Sequence, residues 1–160
     1  MHTMRITQEA DNAIRIIYCL AKHQKKLGAK EIAEKTSVTL RFTLKILRKL
    51  IGAEFIKSFK GMKGGYILKK LPAEISVGDV VEAIDGPISI VKCLNGGCEE
   101  PCPTERKTCP LFRYALEVND NIRNMMYSKT FLALLEHDKS ECSYNFNQSR
   151  NYSAPRIIHF

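Results

Sequence analysis

Along most of the chain, apolar residues recur at steps of three and four, the signature of helices packed on one side. Residues 7–23 carry Ala10, Ala13, Ile14, Ile17, Tyr18 and Ala21 at that spacing, with Thr7 placed as an N-cap and Glu9 in the first turn. Lys25–Gly28 reads as a turn and Ala29–Lys35 as a short second helix with Ile32 and Ala33 inward. After the tight Thr36-Ser37-Val38 connection, Thr39 is placed to cap a third helix, which runs to Ile51 and stops at Gly52. Leu40, Leu44, Leu47 and Ile51 share one face of it, and Arg41, Lys45 and Arg48 follow the same steps about a quarter-turn away. The period then changes. Phe55–Lys60 and Tyr66–Leu68 read as strands joined by Gly61-Met62-Lys63-Gly64-Gly65.

Helical spacing returns over Ser76–Ile84, where Ser76-Val77-Gly78-Asp79 reads as a capping box and Val77, Val80, Val81 and Ile84 as the buried stripe. Asp85-Gly86-Pro87 ends that helix. Pro110 suits the first turn of a long helix reaching Met126. In it Leu111, Ala115, Val118, Ile122 and Met125 alternate four- and three-residue steps, the seam of a helix that packs along another. Packing on its own domain is one reading of that seam; since the basic domain already has its own apolar faces to satisfy, a dimer contact is preferred. Thr130–Leu135 is a short apolar segment placed to fold back, and from His137 onward the chain turns polar.

The predicted architecture is mainly α with a small β-hairpin wing: a winged helix-turn-helix followed by a long dimerisation helix. A short helix, a tight turn and a helix with a basic face form a helix-turn-helix. The hairpin behind it carries Lys57, Lys60 and Lys63, followed by Lys69 and Lys70. In such a layout the helix enters the major groove and the wing meets phosphate or the minor groove. Candidate DNA-reading residues are therefore Thr39, Arg41, Phe42, Lys45 and Arg48 on the helix, with Lys60 and Lys63 on the wing. Arg41, planar and bidentate, suits a guanine contact.

Charge agrees with this division. Residues 1–72 hold 16 Lys/Arg against 5 Asp/Glu, whereas residues 73–160 hold 9 against 12. A basic front half suits a polyanionic partner, double-stranded DNA, although such charge also serves solubility. No stretch of apolar residues is long enough to span a membrane, and residues 1–7 lack the apolar core of a signal peptide, so the expectation is a cytoplasmic protein. No Ser-His-Asp set, phosphate-cradling glycine loop or pair of carboxylates stands out, so no enzyme is expected.

Four of the six cysteines, Cys93, Cys98, Cys102 and Cys109, fall in one loop that also holds Gly96, Gly97, Pro101 and Pro103. Cys19 reads as a core residue, and Cys142 stands isolated in the polar tail. In a reducing compartment such a loop calls for a metal, a metal cluster or reversible thiol chemistry. Iron–sulfur clusters take thiolates on flexible backbone, with Cys-Pro common beside them, as in Cys102-Pro103 and Cys109-Pro110. Zinc also takes four thiolates, but the usual Cys-x-x-Cys knuckle is absent.

The chain resembles the Rrf2 family of bacterial winged helix-turn-helix regulators. The likeness lies in Met4-Arg5-Ile6-Thr7, in Ala33, Leu40 and Leu47, in Ser58-Phe59-Lys60-Gly61 with Gly64-Gly65-Tyr66, and in Ile75–Gly86 before the cysteine loop. It covers about residues 4–136. The resemblance implies a homodimer on a partly palindromic promoter, with residues 4–86 binding DNA, 87–109 sensing and 110–136 holding the dimerisation helix and a short return helix; residues 137–160 read from their composition as a polar tail. It also implies a cluster (2Fe–2S or 4Fe–4S) held by Cys93, Cys109 and either Cys98 or Cys102. In IscR-like members a His supplies the fourth ligand, where this chain has Phe112; in NsrR-like members an Asp of the other subunit does, matching Asp11. Either Asp11 or the fourth loop cysteine would complete the site. The expected activity is a regulator, most simply a repressor, whose promoter affinity follows the cluster. The alternatives are a metal-free regulator of the CymR type, responding to thiols or a partner, and a small redox protein.

Overall fold

A computed structural model describes residues 6–61, 63–96 and 108–140. The first helix, α1 (Gln8–His23), is the hub against which most other elements pack. Its N-cap is Thr7, whose hydroxyl accepts the Ala10 N–H at 3.1 Å, as its position predicts. The buried surface is wider than the predicted stripe. Ile16 and Leu20 are fully buried beside Ala10, Ala13, Ile17 and Ala21, while Ile14 and Tyr18 are half-buried. A helix enclosed from several sides needs more than one apolar stripe.

Helix α2 (Ala29–Thr36) and helix α3 (Leu40–Gly52) form the helix-turn-helix, joined through Ser37 in the left-handed conformation. Thr39 stands at the N-cap position of α3, but its side chain makes no capping bond; its carbonyl accepts from Thr43. The buried face of α3 is Thr43, Ile46, Leu47 and Leu50. This corrects the expected face: Leu47 belongs to it, Leu44 and Ile51 lie at its margins, and Leu40 is exposed. The helix carries apolar residues at enough positions for two overlapping stripes, and packing against α1 selects one of them.

Strands β1 (Ile56–Phe59) and β2 (Gly65–Leu68) pair antiparallel, with Ile56 opposite Leu68 and Phe59 opposite Gly65. The hairpin is moored by Leu27, from the turn after α1, whose N–H and C=O both bond to Tyr66, at 3.0 and 2.8 Å. A Cβ at Gly65 would lie 2.7 Å from the Leu27 carbonyl oxygen, so only glycine permits this approach.

A 3₁₀ turn at Pro72–Glu74 leads to α4 (Val77–Asp85). Its capping box forms as read: Asp79 N–H donates to Ser76 Oγ at 3.1 Å, and Ser76 N–H donates to Asp79 Oδ2 at 2.8 Å. The long helix is α5 (Pro110–Ser128), and α6 (Phe131–Ser140) turns back onto α1. Helix α6 extends past the predicted apolar segment, and its Asp138 pairs with Lys22 at 2.7 Å.

Helices α4 and α5 are clamped at Glu82. Its carboxylate takes Arg123 Nη1 at 2.5 Å, the Tyr127 hydroxyl at 2.6 Å and the Ile88 N–H at 3.3 Å. Donation to Glu82, helped by burial, pushes the Tyr127 phenol up to about 12. The folded state therefore favours the neutral phenol. Its contribution is complete below the ordinary value of 10.0 and disappears as pH climbs from there to about 12. We expect stability to fall by about 1–2 kcal/mol more over that range than in Tyr127→Phe, followed by urea unfolding.

Candidate nucleic-acid interface

The exposed side of α3 borders an open groove of about 1060 Å³. Five sequence-predicted DNA contacts, Thr39, Arg41, Phe42, Lys45 and Arg48, line it. The opposite wall is the start of α1, including Asp11 and Arg15, which pair at 2.9 Å. The other two predicted contacts, Lys60 and Lys63, are exposed on the wing, away from this groove.

The basic face of α3 is partly neutralised from within. Glu9 takes Lys45 on one carboxylate oxygen at 3.1 Å and Lys49 on the other at 3.0 Å. Burial works to raise this carboxyl, but Lys49 and Lys45 outweigh it and hold Glu9 below the usual carboxylate value. Lys49 also approaches the Ile84 carbonyl at 3.5 Å. Next to it, Thr7 Oγ1 donates to Asp85 Oδ1 at 2.5 Å. The junction of α1, α3 and α4 is thus a polar cluster set at the root of the segment that leads to the cysteine loop. Sequence reasoning gave Glu9 only a helix-dipole role and missed Lys49, because no local spacing reveals contacts across dozens of residues.

The cysteines divide into three groups. Cys98, Cys102 and Cys142 lie outside the described residues. Cys19 is buried in the core, where desolvation pushes its thiol up, so it is a poor ligand. Cys93 and Cys109 are half-exposed at the two roots of the loop. Cys93 sits in a 3₁₀ turn at Lys92–Asn95, while Cys109 is the N-cap of α5, its sulfur accepting from Phe112 N–H at 3.4 Å. The segment before Cys93 is pinned to α4 by the Ile88–Glu82 bond and to α5 by Ile90 N–H donating to Asn119 Oδ1 at 3.1 Å. Asn119 is buried, a polar anchor inside a seam that the sequence presents as apolar. Among the described residues no three metal-binding side chains come together, and Asp11 lines the α1–α3 groove. Two accessible thiols framing a loop with two more in sequence fit a thiophilic metal or cluster by donor type.

The model of a family described as "Rrf2: Iron-dependent Transcriptional regulator" matches residues 6–137. The chain belongs to the Rrf2 family. As such it is a DNA-binding transcriptional regulator and not an enzyme. An rrf2-like HTH-type regulator of Rhodobacter capsulatus is 34% identical over 102 residues, covering 61% of this chain and 68% of that protein. Protein rrf2 of Nitratidesulfovibrio vulgaris is 31% identical over 149 residues, 89% of this chain and 93% of that one. Among solved structures, CymR, the global cysteine regulator of B. subtilis, superposes with a TM-score of 0.69 at 24% identity, covering 84% of this chain and 98% of CymR. That likeness establishes the Rrf2 winged-helix fold. No described helix is long and apolar enough to cross a membrane.

Proposed function

We propose that this Rrf2 regulator is a homodimeric promoter repressor whose grip on double-stranded DNA is set by an iron–sulfur cluster in the 93–109 loop. The observation that carries the reading is the placement of Cys93 and Cys109. Both are accessible thiols at the two roots of the loop, and the stretch just before Cys93 is fastened through Glu82 to α4 and through Asn119 to α5. Cys93 and Cys109 would hold the group, with Cys98, Cys102 and the partner's Asp11 as the remaining candidate donors. When bound, the cluster supplies iron that can be oxidised or exchange a ligand. The chain does the rest. A shift of the loop root pulls on Ile88 and Ile90, Glu82 passes it to α4, and the Thr7–Asp85 bond passes it to the start of α1 beside the α3 lysines.

The dimer reading is supported by α5. The predicted seam divides: Ala115 turns inward, while Leu111 and Met125 are 76% and 71% exposed, joined on the outside by Tyr114. Apolar residues bared along about four turns of helix suit a second copy of the same helix.

Anaerobic purification followed by iron, sulfide and zinc analysis tests the cluster. Iron with matching sulfide is expected in the wild-type dimer and is expected to be lost from Cys93→Ser with Cys109→Ser. Promoter affinity should differ between loaded and stripped protein. Iron-free protein with unchanged promoter binding would instead favour a CymR-type regulator responding to thiols or a partner, a reading to which Phe112 at the IscR-like histidine position lends support.

A further inference from the structure

Phe59 closes β1 and is 44% exposed. Its cross-strand partner is Gly65, where the Leu27 carbonyl leaves no room for a side chain, so nothing covers the ring from β2. The neighbours of the ring are cations. Lys26 Nζ lies 5.1 Å from its centroid and Lys57 Nζ 5.7 Å. Lys26 also reaches the Lys63 carbonyl at 3.4 Å, tying the turn after α1 to the wing. A single exposed aromatic is ordinary on a protein surface. Its setting here is not: Lys26, Lys57, Lys60 and Lys63 cluster around the hairpin, and none of them forms an ion pair among the described residues.

We infer that Phe59, flanked by Lys26 and Lys57, is a minor-groove wedge: the lysines dock on phosphates while the ring inserts beside a base step and kinks the duplex. This rests on the DNA-binding reading above and adds to it a site separate from the major-groove face of α3. Lysines held over an exposed ring are weakly bound there and exchange readily for phosphate. Their departure uncovers the face of the ring. Apolar side chains that unstack a step act from the minor groove, and pyrimidine–purine steps such as TA yield most easily. Phe59 would therefore give specificity outside the half-site read by Arg41.

The test uses the full chain and a duplex that the wild-type protein selects from a random pool, labelled at both ends for energy transfer. Wild type is expected to shorten the end-to-end distance. Phe59→Ser is expected to lose the bend, to bind about tenfold more weakly and to lose preference for a TA step facing the wing. Phe59→Tyr should retain all three. On a duplex with that step replaced by a stiff A-tract, wild type and Phe59→Ser should bind within about twofold of each other. Equal losses on both duplexes, or an unchanged bend in Phe59→Ser, would overturn the wedge, leaving the ring as a clasp for Lys26. If wild type selects a duplex without bending it, the wedge fails while DNA reading stands; if it selects none, both fail.

Discussion

Phe131→Ala is expected to lower the unfolding free energy by about 3–5 kcal/mol, the usual cost of removing a fully buried aromatic ring. Phe131 has no exposed surface and belongs to the core cluster that includes Ile16, Leu20 and Ile75. Its N–H donates to the Ile75 carbonyl at 3.0 Å, and Val77 N–H donates to the Lys129 carbonyl at 2.9 Å, so the α5–α6 junction is stitched to the start of α4. The other α6 side chains packed against that core, Leu134 and Leu135, are only half-buried, which leaves Phe131 as its main anchor. Leu132→Ala, on the exposed side, should change stability by about 0.5 kcal/mol or less. Urea titration of both variants decides the matter. Equal small losses would mean that α6 is not part of the cooperative core.

Arg41→Ala and Lys63→Ala are expected to fail in different ways. Arg41 is exposed in the groove beside Phe42 and has no ion-pair partner among the described residues. Its loss should remove about 1–3 kcal/mol of discrimination at one base pair, up to roughly a hundredfold, and relax preference there. Lys63 is exposed on the wing, where a lysine serves phosphate as a point charge. Its loss should weaken all duplexes alike and lower the slope of log affinity against log salt by about one. Fluorescence anisotropy on the selected duplex and its point variants, over a range of salt, separates the two. Loss of sequence preference in Lys63→Ala, with none in Arg41→Ala, would reverse the assignment.

Much of this architecture is written in local pattern. The Thr7 cap, the Ser76–Asp79 box, the hairpin and the Pro110 start of α5 all depend on residues a few positions apart, and all form as the spacing indicates. What eluded local pattern depends on distant partners. Leu40 falls outside the buried face of α3 because contact with α1, not periodicity, chooses between overlapping stripes. The α5 seam looked uniform, yet Ala115 and Asn119 turn inward because α4 and the segment at Ile90 occupy that side. The helix part of the candidate site is legible as a basic face; Glu9, which pairs with two of its lysines, and Lys26, which stands over Phe59 on the wing, reach their partners only through the tertiary fold.

Glu9 has a thermodynamic consequence of its own. With one carboxylate seated between Lys45 and Lys49, these ammonium groups already have an anion before any duplex arrives. On the proposal that α3 docks on DNA, nucleic acid must displace this internal tenant rather than only a cloud of mobile ions, so the complex should free fewer small ions than its roster of cations suggests. The carboxylate is tethered and does not dilute away, which turns docking on α3 into an exchange of ligands within the protein's own surface.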